Sequence, residues 1–193
     1  MSTFFLNRLT TEPHALAFAG QSTPWPVALA DQTTDPSLDE ALRGHVAAAN
    51  RLLAPAAADL LATTGRPVDL FGFTPNPARL SAAADATASV EGVALTQLGA
   101  LLDLEHLGYS VAAAKPVAVL GHSQGVLAVH MTRAIEAAGS IEAAGKTLDE
   151  ILAVAALIGA AGTRRVRELG LNPKYGEASP MLSVKGATRE QVE

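Results

Sequence analysis

Pro116-Val117-Ala118-Val119-Leu120-Gly121-His122-Ser123-Gln124-Gly125-Val126 changes character twice within a few residues. Its first five residues are apolar, two of them β-branched valines, and read as a buried strand. Gly121 to Gly125 breaks that pattern. From Val126 to Ile135 apolar residues recur with helical spacing. The predicted order is strand, tight turn, helix.

Gly121-x-Ser123-x-Gly125 between a strand and a helix is the context of a nucleophile elbow. Side chains in place of the glycines would collide with the strand and helix on either side. The turn exposes the Ser123 hydroxyl at the carboxyl edge of the sheet. It also aims the backbone N–H of Gln124, at the helix N-terminus, toward an oxyanion formed by attack on an acyl carbon. The five-residue pattern alone arises often by chance, and its competing explanation is a glycine-rich turn with an idle serine. A serine nucleophile also needs a base. The chain offers His14, His45, His106, His122 and His130. His122 is expected to point into the fold, and His130 lies two turns into the next helix. His45 and His106 fall in helical patterns and suit surface or packing roles. None occupies the downstream loop expected of a triad histidine.

Outward from the elbow, helices alternate with short strands, which indicates an α/β fold with a mainly parallel sheet. Ala15–Ala19 reads as a buried strand. Gln21–Pro26 follows, its prolines opposing regular structure. Asp35-Pro36 reads as an N-cap with a first-turn proline, opening a helical pattern to about Thr64 that is kinked or divided at Pro55. Pro67–Pro77 reads as irregular, and Gly92 to about His106 as a helix ending at Gly108. Ile135–Gly139 and Ile141–Gly145 form a direct repeat, too short for a solenoid and expected to lengthen a connection. Thr147-Leu148-Asp149-Glu150 matches a capping box, predicting a helix from there to Leu169. Met181–Val184 reads as a strand, and Thr188–Gln191 as the cap of a further helix. No interdomain linker is visible.

Composition narrows the function classes. The chain has 193 residues, 49% hydrophobic and 17% charged, enough for one sizeable core and unlike a disordered segment. Alanine supplies 39 residues and aromatics only 4%, so the core should be aliphatic and helix-rich. A net charge of −5 argues against a dedicated nucleic-acid or anionic-membrane binder. The absence of cysteine excludes disulfides, thiolate metal sites and a cysteine nucleophile. No metal site is expected. The longest uncharged stretches, Pro13–Ala30 and Pro116–Thr132, are broken by Pro, Gly, His and Gln and do not read as membrane spans. No signal peptide is apparent, and the expectation is a cytoplasmic protein.

Gly121-His122-Ser123-Gln124-Gly125, with Phe18-Ala19-Gly20-Gln21-Ser22-Thr23-Pro24-Trp25 upstream and Leu95-Thr96-Gln97 on a helix, resembles the malonyl/acetyl-CoA:acyl-carrier-protein transacylase family. The likeness is greatest to the acetyltransferase domain at the N-terminus of actinobacterial type I fatty acid synthases. It runs from Leu6-Asn7-Arg8-Leu9 to Met181-Leu182-Ser183-Val184. One departure is visible: the family's Gly-Gln-Gly is Gly20-Gln21-Ser22 here. The resemblance implies an acyltransferase-like α/β core over 1–180, with 181–193 the start of a ferredoxin-like subdomain. It further implies that Ser123 accepts an acyl group from coenzyme A as an ester. Backbone N–H groups of Gln21 and Gln124 would form the oxyanion hole, and Gln97 would lie at the substrate site. The family's catalytic histidine would fall beyond Glu193, so the chain is expected to be a truncated piece, inactive alone. Nothing need be bound permanently: acetyl-CoA is the implied donor and phosphopantetheine on an acyl carrier protein the acceptor. The implied partners are that carrier protein and other domains of a homo-oligomeric multidomain synthase.

Malonyl-transferring members resemble one another in an arginine before a glycine on a helix after the elbow, which pairs with the malonyl carboxylate. Alignment on Gly162 puts Ala161 there, within the uncharged Leu157-Ile158-Gly159-Ala160-Ala161, and Val126 stands where malonyl enzymes usually carry Glu. That pattern suits acetyl. Arg164 and Arg165 lie one turn further on. The competing enzyme class is an α/β-hydrolase, a thioesterase or lipase, which would need an acid and a histidine downstream and would have no reason to keep Gly20-Gln21. The non-enzymatic alternative is a structural or docking segment of a larger assembly.

Overall fold

The computed structural model describes residues 8–20, 25–64 and 86–169. Strand β1 is Ala15–Phe18 and strand β2 is Ala118–Gly121. They pair in parallel, with Ala15 opposite Ala118 and Phe18 opposite Gly121. The fold is α/β, with helices far outweighing this two-stranded sheet. The strands are less buried than their apolar runs predict. In β1 only Leu16 and Phe18 turn inward while Ala15 and Ala17 are exposed, and Leu120 of β2 is 59% exposed. Helices cover a sheet of this size on one side, leaving alternate residues outside.

Helix α1 is Trp25–Gln32. It overturns the expectation that Pro24 and Pro26 exclude regular structure here, because Pro26 sits in the first turn, where a missing N–H leaves no helical bond unmade. Helix α2, Pro36–Leu53, begins as expected: Asp35 caps it, accepting from the Ser37 N–H at 2.8 Å and the Leu38 N–H at 3.3 Å. Leu38, Leu42, Val46, Ala49 and Leu53 form its buried stripe. The break at Pro55 is a short 3₁₀ turn, Ala54–Ala56, before helix α3, Ala57–Thr64. Helix α4, Ala86–His106, starts earlier than Gly92. Every residue from Ser89 to Gly99 is buried, so α4 is the central helix. Its Leu95, Leu98 and Leu101 are at most 2% exposed, and each contributes about 1.5–3 kcal/mol by leaving water.

The short helix α5, Val111–Ala114, has no counterpart in the sequence reading. Helix α6 is Gly125–Ala138 and helix α7 is Ile141–Glu168. Two expectations fail between them. The direct repeat does not lengthen a connection: its first unit ends α6 and its second begins α7, with the reversal confined to Gly139-Ser140. Nor does the capping box at Thr147 open a helix, since it lies within α7. Ser140 takes the capping role, its Oγ accepting from the Ala143 N–H at 3.0 Å. Asp149, freed from capping, bonds His45 Nδ1 at 2.7 Å and ties α7 to α2. Helix α7 packs on α4, α6 and α2, while α1 packs on α4. No helix among the described residues is long and apolar enough to cross a membrane. Residues 181–193, and with them the expected second subdomain, lie outside the described residues, as does Pro67–Pro77.

Candidate active site

The elbow is built from β1, β2 and the first turn of α6. At the end of β2 the His122 N–H donates to the Phe18 carbonyl at 3.0 Å, tying the turn to β1. The chain then reverses through Ser123, whose φ of 54° is left-handed. A non-glycine residue in that region costs about 1–2 kcal/mol, and strain of this kind clusters where function holds it. Three short bonds complete the turn: the Gly125 N–H to the His122 carbonyl at 2.9 Å, the Val126 N–H to Ser123 at 3.2 Å and the Leu127 N–H to Gln124 at 3.0 Å.

Close backbone approach explains the glycines. A Cβ on Gly125 would strike the Phe18 carbonyl oxygen and come within 3.0 Å of the Ala19 carbonyl oxygen. A Cβ on Gly20 would lie 2.8 Å from the Ser123 Cβ and 2.7 Å from the His122 carbonyl oxygen. The segment leaving β1 therefore passes directly against the serine. This contact joins Gly20 to Gly121–Gly125 across a hundred residues of chain.

Ser123 is exposed and open to a substrate. Gln124 is the N-cap residue of α6, with φ −64° and ψ −19°. Among the described residues its backbone N–H has no acceptor, and its helix end carries the positive pole of the peptide dipoles. Its side-chain Oε1 is buried without a hydrogen-bond partner. Gln21 lies outside the described residues.

Gln97 is 7% exposed and so faces the interior of the fold rather than solvent. Its Nε2 donates to the Ala19 carbonyl at 2.6 Å, bracing from α4 the peptide that precedes Gly20. Its Oε1 is buried and has no hydrogen-bond partner among the described residues. Gln97 thus braces the peptide that leads into Gly20, which itself lies against Ser123. A glutamine within an apolar helix stretch was the available signal; its partner carbonyl was not readable.

Ala161 is exposed on the second half of α7. Both neighbouring arginines lean on Glu168, Arg165 at 3.1 Å and Arg164 at 4.0 Å. His122 is exposed rather than turned into the fold, and His130 is exposed on α6. His45 is engaged with Asp149, and His14 bonds the buried Tyr109 hydroxyl through Nε2 at 2.5 Å. Among the described residues no histidine bonds Ser123, and no group of His, Asp and Glu could hold a metal ion. No family model matches the chain, and no curated protein matches it either.

Proposed function

We propose that the chain carries the nucleophile half of an acyl-CoA:acyl-carrier-protein transacylase, with Ser123 the residue acylated. The observation that carries this reading is the left-handed Ser123, exposed and held between Gly20 and the free N–H of Gln124. Its Oγ attacks the thioester carbonyl and displaces the coenzyme A thiolate. The oxyanion is met by the Gln124 N–H, with the Gln21 N–H as the second donor. A phosphopantetheine thiol then attacks the acyl-serine, and the alkoxide leaves as Ser123. These protons need a base, and the resemblance implies that it is a histidine. Gln97 holds the Ala19 peptide so that the loop keeps its place against the serine.

Acetyl is the acyl group this reading favours. Aligned on Gly162, Ala161 stands where the resemblance implies a malonyl-pairing arginine, and it offers no cation to a malonyl carboxylate. Leaving one member of a buried charge pair alone costs about 3–5 kcal/mol, and each 1.4 kcal/mol is about tenfold in rate. Even a partly solvated pocket should therefore prefer acetyl by about a hundredfold.

The test uses a polypeptide that also carries the implied histidine. Radiolabelled acetyl-CoA should label one tryptic peptide containing Ser123, and Ser123→Ala should abolish the label. Pantetheine should accelerate coenzyme A release. A label that persists in Ser123→Ala removes the nucleophile, while release indifferent to the thiol favours a hydrolase. Equal kcat/KM for acetyl and malonyl donors would end the acetyl assignment, which Ala161→Arg should otherwise weaken.

A further inference from the structure

Helix α1 meets the central helix α4 at two glycines. A Cβ on Gly92 would strike the six-membered ring of Trp25, lying 2.5 Å from its Cζ3. A Cβ on Gly99 would strike the side-chain amide of Gln32, 2.7 Å from Cδ. That amide also donates from Nε2 to the Thr96 carbonyl, between the two glycines, at 3.0 Å. Trp25 to Gln32 and Gly92 to Gly99 are equal steps along the two chains, so the helices run side by side in one direction for about 10 Å. Trp25 is 5% exposed and fills the notch left by Gly92.

Helix α4 also holds the chain ahead of this seam. Gln97 Nε2 donates to the Ala19 carbonyl, next to the Gly20 that lies against Ser123. The same helix therefore grips the chain at Ala19 and again at Trp25. Only Gln21-Ser22-Thr23-Pro24 separate Gly20 from Trp25 in the sequence.

We propose that Trp25, seated on Gly92, is a positioning residue for the acylation of Ser123, the second anchor of the segment that Gln97 holds at the first. The inference rests on the acyl-transfer reading for its chemistry. Trp25 touches no reacting atom and acts through Gly20. An indole in a glycine notch fixes the distance between two helices, because the ring is rigid and has only two side-chain torsions to lose. A methyl on Gly92 would sit about 1 Å inside an ordinary contact of about 3.5–4.0 Å. Trp25, and with it the start of α1, must then move. A misplacement of about 1 Å passed on to reacting groups can cost about a hundredfold in rate. The amide of Gln32 differs, being the far end of a flexible side chain that can swing aside from Gly99.

That contrast supplies the experiment. In the polypeptide that also carries the implied histidine, Gly92→Ala should slow acylation of Ser123 at saturating acetyl-CoA by about tenfold or more. Its KM for acetyl-CoA should stay unchanged, and Gly99→Ala should leave both quantities near wild type. Trp25→Phe, which underfills the notch instead of overfilling it, should slow the same step and decides the matter if Gly92→Ala fails to fold. Wild-type acylation by either Gly92→Ala or Trp25→Phe would overturn the proposal. Equal losses in Gly92→Ala and Gly99→Ala would reduce Trp25 to core packing and overturn it as well. A wild type that takes no label at Ser123 would remove the acyl-transfer reading instead. The anchor is then decided by amide hydrogen exchange in the chain itself, which at Gly20 should rise about tenfold or more in Gly92→Ala and not in Gly99→Ala. Unaltered exchange at Gly20 would overturn the anchor.

Discussion

Gly125→Ala tests the elbow without touching its serine. The added methyl would meet the Phe18 carbonyl oxygen, its carbon at 2.9 Å and the Ala19 carbonyl oxygen at 3.0 Å. All three are backbone atoms, two of them in Phe18, the last residue of a strand held to β2 over four paired positions and to His122 by a further bond. Relief therefore requires the strand or the helix to move, and overpacking of this kind costs about 1–3 kcal/mol or more. Alanine's helix preference returns at most about 1 kcal/mol, and less at a first helical residue. A net loss of about 2 kcal/mol should lower Tm by about 4–8 °C in a chain of this length. Gly44→Ala is the matched control: it lies inside α2 with nothing within 4 Å of its added methyl, and should gain about 0.5–1 kcal/mol. Thermal and urea unfolding followed by far-UV circular dichroism would compare both with wild type. If Gly125→Ala matched wild type, or rose alongside Gly44→Ala, the close approach of α6 to β1 would be refuted.

Ser123→Gly should stabilise the fold by about 0.5–1 kcal/mol, left-handed strain being relieved against glycine's greater unfolded-state entropy. It should also lose the acyl label; a destabilised Ser123→Gly in urea titration would contradict the φ of 54°. Gln97→Leu removes the donor to the Ala19 carbonyl and should cost about 0.5–1.5 kcal/mol, slowing single-turnover acylation while Ser123 remains the labelled residue. Asp35, held below its usual 3.8 by the Ser37 hydroxyl and by the Leu38 and Ser37 N–H groups, contributes stability above its unfolded value and loses it as pH falls through the lower folded value. Asp35→Ala should thus destabilise at neutral pH, with the difference from wild type closing below about pH 4; a gap that persists in acid would remove the cap.

Local chemistry was legible in the sequence wherever neighbours along the chain decide the outcome. The strand–turn–helix around Ser123, the Asp35-Pro36 cap and the division at Pro55 all rest on backbone sterics and capping within a few residues, and each is present. Where a local signal had a tertiary competitor, the competitor won. Asp149 fits a capping box, yet bonding to His45 on α2 and packing of Leu148 on the core keep it inside α7. Only the tertiary structure shows that the segment after β1 lies against Ser123, that Gln97 braces it from the central helix, and that the Ala161 face of α7 stands open. The physical reason is range. A turn or a cap is an interaction between residues that the chain itself holds together. The meeting of Gly20 with Ser123 depends on how β1, β2 and α6 are brought together, and that is settled by the burial of side chains scattered along the whole sequence.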